Sequence, residues 1–305
     1  MKERGYSKMR KTKTLSDKLL MIFAYGFIGL FAFLCLYPLL LVLGVSFSSE
    51  KDIVQSGYAV IPKNFSLDTY LYIFVNSGKR ILKSYGVTIF ITIVGTLSSI
   101  MITSMIAFAI SLKRLKYRNV IAFVCNFTII FSAGLIPWYI VCVNMFHLRN
   151  NILALILPSM FNVWNMFLMR TYFQGISPSL YEAAEIDGAN YFTIFMKIAM
   201  PLSKTAVLTV GLMYALGYWN DWWNALIFIN EKELFPLQYY LYNILSNVNA
   251  ISSGLIPSGA SGSITLPAET VKMAVTVITI GPIIFLYPFV QKYFVDGIMT
   301  GAVKE

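Results

Sequence analysis

Charge is scarce in this sequence. Asp, Glu, Lys and Arg make up 12% of its 305 residues, about half the share of a soluble domain. Histidine occurs once, at His147, with no partner at metal-ligand spacing, and a single interfacial histidine is ordinary. The three cysteines, Cys35, Cys125 and Cys142, each lie inside an apolar run, so they read as buried thiols rather than a disulfide frame or a metal set. No G-x-x-x-x-G-K-[ST] stretch is present, so this chain does not cradle nucleotide phosphates in a P-loop. H-E-x-x-H and G-x-S-x-G are missing as well, which argues against an integral membrane enzyme. A secondary transporter would ordinarily show internal repeats or several intramembrane charges. Asp221 is the one acid that qualifies.

Apolar side chains fill the gap. They account for 57% of the chain, and the mean hydropathy is +0.68. A run of about 20 apolar residues crosses a hydrocarbon core of ~30 Å. Six such runs are expected, at 19–49, 85–112, 120–146, 151–169, 205–229 and 271–291. Pro38 bends the first or marks its outer part, Pro137 lies inside the third, and Gly281, Pro282 and Pro288 bend the sixth. The first run is too long for a signal peptide. The sequence therefore predicts an all-α integral membrane protein with an even number of crossings.

The net charge of +10 does not form a basic stripe interleaved with aromatics, so no nucleic-acid partner is implied. Lys and Arg follow topology instead. One side of the membrane holds sixteen of them, in the tail before residue 19, in 113–119, in 170–204 and after 291. The other side holds seven. The bias places both termini and the 170–204 loop in the cytoplasm. Outside, Ser66-Leu67-Asp68 can start a short amphipathic helix. Loop 230–270 is rich in Gly, Ser and Pro and reads as flexible. The chain divides into a basic tail at 1–18, a membrane domain at 19–293 and a polar tail at 294–305.

Two stretches carry the functional signal. In the first, "SPSLYEAAEIDGANYFTIFMKIAMPLS" (177–203), Ser177-Pro178 starts a helix over about 178–186. Ser179 and Glu182 fit a capping box, and Gly188 supplies a break or a positive φ. Asp187 or Asn190 caps a second helix. Phe192, Phe195 and Ala199 line one face of it, and Pro201 ends it. Glu182 and Glu185, three apart, share a face. By spacing alone, Glu182 either caps its own helix or faces a partner. The second stretch, "GYWNDWWNALIF" (217–228), puts Trp219, Asn220, Asp221, Trp222, Trp223 and Asn224 near the outer half of the fifth span. Aromatic faces stack on sugar rings, and Asn and Asp hydrogen-bond hydroxyls. The same residues also suit an interfacial aromatic belt. Asn126, Asn144, Asn162 and Asn165 either line a cavity or bond helix to helix.

The first stretch resembles the EAA motif of ABC-importer permeases, E-A-A-x-x-x-G-x(9)-I-x-L-P. The matching residues are Glu182, Ala183, Ala184, Gly188, Ile198 and Pro201. Met200 stands where leucine is usual, and Thr205 where a proline is frequent. Asp187-Gly188-Ala189, Phe195, the "WNDWWNALIFI" stretch and the carboxy-terminal "YPFVQKYFVDGIMTGAVKE" resemble the carbohydrate branch. There the likeness is to the smaller permease of a maltose-type or lipo-oligosaccharide-type pair. The resemblance implies a type I importer fold in the bacterial plasma membrane, with 181–203 as the coupling loop. Glu182, Ala183, Ala184, Asp187, Gly188, Phe195 and Pro201 would then serve coupling to an ATPase. It also implies a second permease, two cytoplasmic ATPases that bind ATP and Mg, and an extracellular or periplasmic solute-binding protein. This chain itself would hold no cofactor, and its tail would approach the ATPases. In maltose-type relatives the deep sugar site lies largely in the larger permease. A permease for a non-sugar solute is the alternative.

Overall fold

A computed structural model describes residues 15–252 and 269–281. Among these residues the structure is almost wholly helical, and extended pairing amounts to one isolated bridge between Ser48 and Phe65. In order, the helices are α1 (Leu15–Ser46), α2 (Glu50–Ser56), α3 (Asp68–Ser111), α4 (Arg118–Ile130), α5 (Leu135–Ile140), α6 (Val163–Gln174), α7 (Pro178–Ile186), α8 (Tyr191–Ile194), α9 (Met200–Leu202), α10 (Lys204–Trp219), α11 (Trp223–Phe228) and α12 (Leu237–Ser252). A further helix, α13, covers 269–281. The chain forms two compact units, residues 1–70 with 267–277 and residues 71–266 with 278–305.

In the first unit, α1 is apolar on every side and exposes Leu20, Phe23, Ile28 and Phe31 alike. A helix apolar all round belongs in a bilayer or a large core. Cys35 sits exposed on this helix rather than buried, while Cys142 is buried. Pro38 lies inside α1 without ending it. Gly44 allows a close crossing, since a Cβ there would come within 2.0 Å of the Val60 carbonyl oxygen. The start of α13 is held by Glu50. Its carboxylate accepts the Glu269 amide at 3.1 Å, the Thr270 amide at 2.9 Å and the Thr270 hydroxyl at 2.8 Å. This arrangement satisfies donors that a helix start leaves open and complements its dipole. Tyr58 donates to Glu269 at 2.6 Å, and Lys272 donates to it at 2.9 Å. These bonds hold the Glu269 carboxyl below its usual range and raise the Tyr58 phenol.

In the second unit, α3 and α10 are joined by tyrosines. The Tyr218 hydroxyl donates to the Ile156 carbonyl at 3.0 Å and lies 3.0 Å from the Ser99 hydroxyl, which must then donate to it. Tyr214 accepts the Asn162 amide at 2.9 Å and meets Thr103 at 2.6 Å. Such bonds close polar groups that a bilayer cannot hydrate. Gly95 makes room for the Tyr218 ring, whose nearest atom would lie 2.6 Å from an added Cβ. A core of Phe108, Met166, Met169, Phe173, Phe195 and Val210 surrounds one end of this seam.

Several expected spans differ from the structure. Among the described residues, two helices are long and apolar enough to cross a membrane, Asp17–Ser46 and Asp68–Ser111, and three bent pairs pass the same test together. Asp68 starts no short separate helix, but opens α3, whose 44 residues reach roughly 66 Å. That is twice a hydrocarbon core, so the part carrying Lys79, Arg80 and Lys83 extends beyond it. The third run is not one helix. It breaks at 131–134, where Gly134 takes φ +88°, and its halves bend by 117°. Pro137 falls in the first turn of α5, where proline is tolerated. The fourth begins with 3₁₀ turns over Ile152–Ser159 before α6, with a 51° bend. Asn151 and Asn162 cap these pieces by accepting the Leu153 and Asn165 amides. Asn162 is therefore a helix cap through its side chain and meets α10 through its backbone amide. The fifth ends its first helix at Trp219 and resumes at Trp223. Loop 230–270 is not uniformly flexible, because it contains α12. Its 253–268 portion, Pro282, Pro288, residues 1–14 of the first tail and the whole 294–305 tail lie outside the described residues.

Candidate functional site

Proline at 178 lacks the amide that a helix start cannot use, and the preceding Ser177 is extended. Helix α7 therefore begins where the sequence places it. The expected capping box does not form. Ser177 is the N-cap without a side-chain cap bond, and its hydroxyl lies 2.8 Å from that of Ser179. At the other end, the Gly188 amide donates to Glu185 and the Ala189 amide to Ala184. Gly188 takes φ +83° with open space where a Cβ would stand, the left-handed turn that commonly ends a helix. Asn190 then accepts the Thr193 amide at 2.8 Å and starts α8. The run continues through a π turn at Phe195–Ala199 to α9. An 86° bend at Ser203 separates it from α10.

The two faces of α7 do different things. Tyr181, Ala184 and Glu185 turn inward. The Tyr181 ring meets Phe108 edge-on at 5.8 Å. Its hydroxyl is buried without a partner among the described residues, and burial pushes its pKa up to about 12. Glu185 pairs with Arg114 from the α3–α4 turn, while Glu182, one turn earlier along the same cleft, stays exposed. Glu182, Ala183 and Asp187 are exposed. Ile186 is 87% exposed, an apolar tip on a polar loop. Beside α7 lies a cleft of about 810 Å³, walled by Lys113, Arg114 and Arg118 on one side and Tyr181, Glu182 and Glu185 on the other. Phe195 is buried against Phe108 and Phe173, which makes it a packing residue. Pro201 is exposed.

The second stretch surrounds the break between α10 and α11. Asp221 bridges it, accepting the Asn224 amide at 3.1 Å and the Asn224 side-chain amide at 2.5 Å. Asn224 also donates to Ser159 at 3.1 Å. An Asx cap of this kind satisfies amide donors that the restarted helix leaves open. Asp221 and Asn224 are thus engaged with each other. Trp219 is half-buried, its ring 6.5 Å from that of Tyr85. Its indole N–H has no acceptor among the described residues. Asn220 accepts from Gln238 at 3.2 Å. Trp222 stacks on Tyr242 at 4.8 Å, and Trp223 stands perpendicular to Trp222.

Gln238, Tyr239 and Tyr242 were not anticipated. They belong to α12, and the spacing of Leu237, Leu241 and Ile244 at helical intervals was the signal that marks it. Tyr214 and Tyr218 were also missed, because a buried tyrosine in an apolar run looks like any other apolar residue.

No family model matches the chain. Among curated proteins, it is 38% identical over 290 residues to the polygalacturonan/rhamnogalacturonan transport system permease protein YtcP of Bacillus subtilis (strain 168), covering 95% of this chain and 100% of that protein. It is 37% identical over 280 residues to protein LplC of the same organism, covering 91% and 92% respectively. Among solved structures, it matches a chain of a bacterial ABC transporter involved in the import of the acidic polysaccharide alginate. That match has a TM-score of 0.81 and 33% identity, covering 92% of this chain and 98% of the other. End-to-end likeness at this identity, on a helical frame with apolar spans and a short outward-facing helix at 178–186, settles the family. This chain belongs to the permeases of ABC sugar and oligosaccharide importers.

Proposed function

We propose that this chain is the smaller of two permeases in an ATP-driven oligosaccharide importer. It crosses the plasma membrane six times with both termini inside. The crossings begin with α1, α3, α4, the turns before α6, α10 and α13. Helix α7 is the coupling helix. The observation that carries this reading is the division of α7 into a pinned face and an offered face. Tyr181 and Glu185 hold the helix to its own permease through Phe108 and Arg114. Glu182, Ala183 and Asp187 remain exposed for a cytoplasmic ATPase. Ala183 permits close approach, and the Glu182 carboxylate accepts a charge-assisted bond from a basic residue of the partner. ATP and Mg belong to that partner. Closure of two ATPases draws the coupling loops together and switches the permease pair between inward- and outward-open states. A solute-binding protein delivers the sugar from outside. The substrate class is an oligosaccharide, and the names of the relatives favour acidic ones. Trp219, Asn220 and Trp223 border the path, while Asp221 and Asn224 maintain the helix break beside it.

Co-expression with the neighbouring permease and ATPase tests the reading. Wild type should co-purify with the ATPase, and Glu182→Lys with Gly188→Asp should abolish this while the permease stays folded in the membrane. Full ATPase binding and coupled uptake by that double variant would reduce α7 to a surface helix.

A further inference from the structure

The break between α10 and α11 places two adjacent tryptophans where α12 meets them. Trp222 and Tyr242 stack with centroids 4.8 Å apart and planes 21° from parallel. Trp223 lies 5.7 Å from Trp222 at 86°. The three rings form a corner of two walls rather than a flat patch. All remain accessible, at 36%, 46% and 40% for Trp222, Trp223 and Tyr242. Behind Tyr242, Tyr239 stacks at 6.4 Å, and Phe235 meets Tyr239 edge-on at 4.7 Å. Tyr239 itself is buried. This backing fixes the Tyr242 side of the corner before anything binds, which lowers the ordering cost of binding. Alongside it, Gln238 and Asn220 hydrogen-bond across α12 and the helix break, so amide groups border the aromatic walls.

We propose that Trp222, Trp223 and Tyr242 form a sugar-stacking site at the outer mouth of this subunit, with the Asn220–Gln238 amide pair at its rim. The inference rests on the permease reading above and deepens it. A pyranose ring has an apolar C–H face and a polar equatorial rim. The indole walls match the first and the amides match the second. A lipid-facing aromatic belt needs separate rings with polar tips at the headgroups. It gains nothing from a perpendicular pair backed by a buried stack. The site also moves sugar contact away from Asp221 and Asn224, whose polar groups are engaged in capping.

The test uses the complete permease pair with its ATPase in proteoliposomes. The binding protein and oligogalacturonides are supplied outside, with maltotriose as the neutral comparison. Uptake kinetics are measured for Trp223→Leu, Trp222→Leu and the aromatic replacements Trp223→Phe and Trp222→Phe. Loss of one stacking wall should raise KM roughly five- to tenfold, with kcat falling less than twofold. Phenylalanine should restore KM to within about twofold of wild type, since any aromatic face stacks. An unchanged KM in the assembled Trp223→Leu complex would overturn the site while leaving the permease reading intact. Trp223 is the safer probe because it is not part of the parallel stack, so its truncation does not undock α12. A fall in kcat at constant KM would likewise refute the site in favour of a structural role. Failure of wild type to assemble with the ATPase would remove the permease reading itself. Assembly without uptake of either sugar would remove the sugar reading and this site together.

Discussion

Adding one methyl group at Gly95 should unlock α3 from α10. A Cβ built there lies 2.6, 2.7 and 2.8 Å from three carbons of the Tyr218 ring. Ordinary carbon contacts are about 3.5–4.0 Å, so the ring must retreat by about 1 Å. It has little freedom to do so, being 1% exposed and tied by its hydroxyl to Ser99 and Ile156. Overpacking costs about 1–3 kcal/mol, and each strained hydrogen bond at this depth adds about 0.6 kcal/mol. Gly95→Ala should therefore cost about 2–4 kcal/mol. Tyr218→Ala alone removes the ring and both bonds, costing about 3–5 kcal/mol by analogy with other large-to-small core changes. The double variant has no ring left to clash with. Its cost should fall below the sum of the two by about 1–3 kcal/mol. Thermal unfolding of the purified complex, followed by fluorescence-detected size exclusion, reads these differences. Gly95→Ala should lower Tm by roughly 4–16 °C at about 2–4 °C per kcal/mol. Additive effects in the cycle, or a neutral Gly95→Ala, would refute the claim that this glycine exists to seat Tyr218.

Three further outcomes follow from the same geometry. Gly188→Ala should cost about 1–2 kcal/mol because a side chain at φ +83° is strained. With no neighbour for the new methyl group, Gly188→Asn should recover most of the lost Tm. Asp221→Ala should cost about 1–2 kcal/mol through loss of the cap on α11. Asp221→Asn, which keeps an acceptor for the Asn224 amide, should cost less than half as much; equal losses would point to a role for the charge itself. The Glu269 pKa lies below its ordinary value of 4.5 in the folded protein. Its bond to Tyr58 therefore contributes fully above that value and is lost as pH falls through the lowered one. The Tm difference between wild type and Tyr58→Phe should be constant from pH 7 to about pH 5 and shrink below pH 4. A difference that grows on acidification would contradict the assignment.

Much of the 177–203 loop was legible because its signals are local. Pro178 fixes a helix start, Gly188 a left-handed end and Asn190 a cap, and each acts on backbone within four residues. The division of labour between Glu182 and Glu185 was not legible. Both are glutamates on one short helix, and what separates them is Arg114, about seventy residues away in the chain. The spans show the same boundary. Apolar runs identify a membrane protein, but periodicity cannot show that the third run bends by 117° or that α3 continues outward to Asp68.

The sequence by itself determined the class, the small-residue loop and the placement of basic charge, since bilayer solvation and backbone propensity act on composition and near neighbours. Tertiary structure decided which polar groups are engaged and which are offered. Asp221 is engaged by both amides of Asn224 across the helix break. Trp222 acquired a stacking partner because α12 folds back onto the break. Those outcomes depend on distances between residues far apart in the chain, which no local pattern encodes.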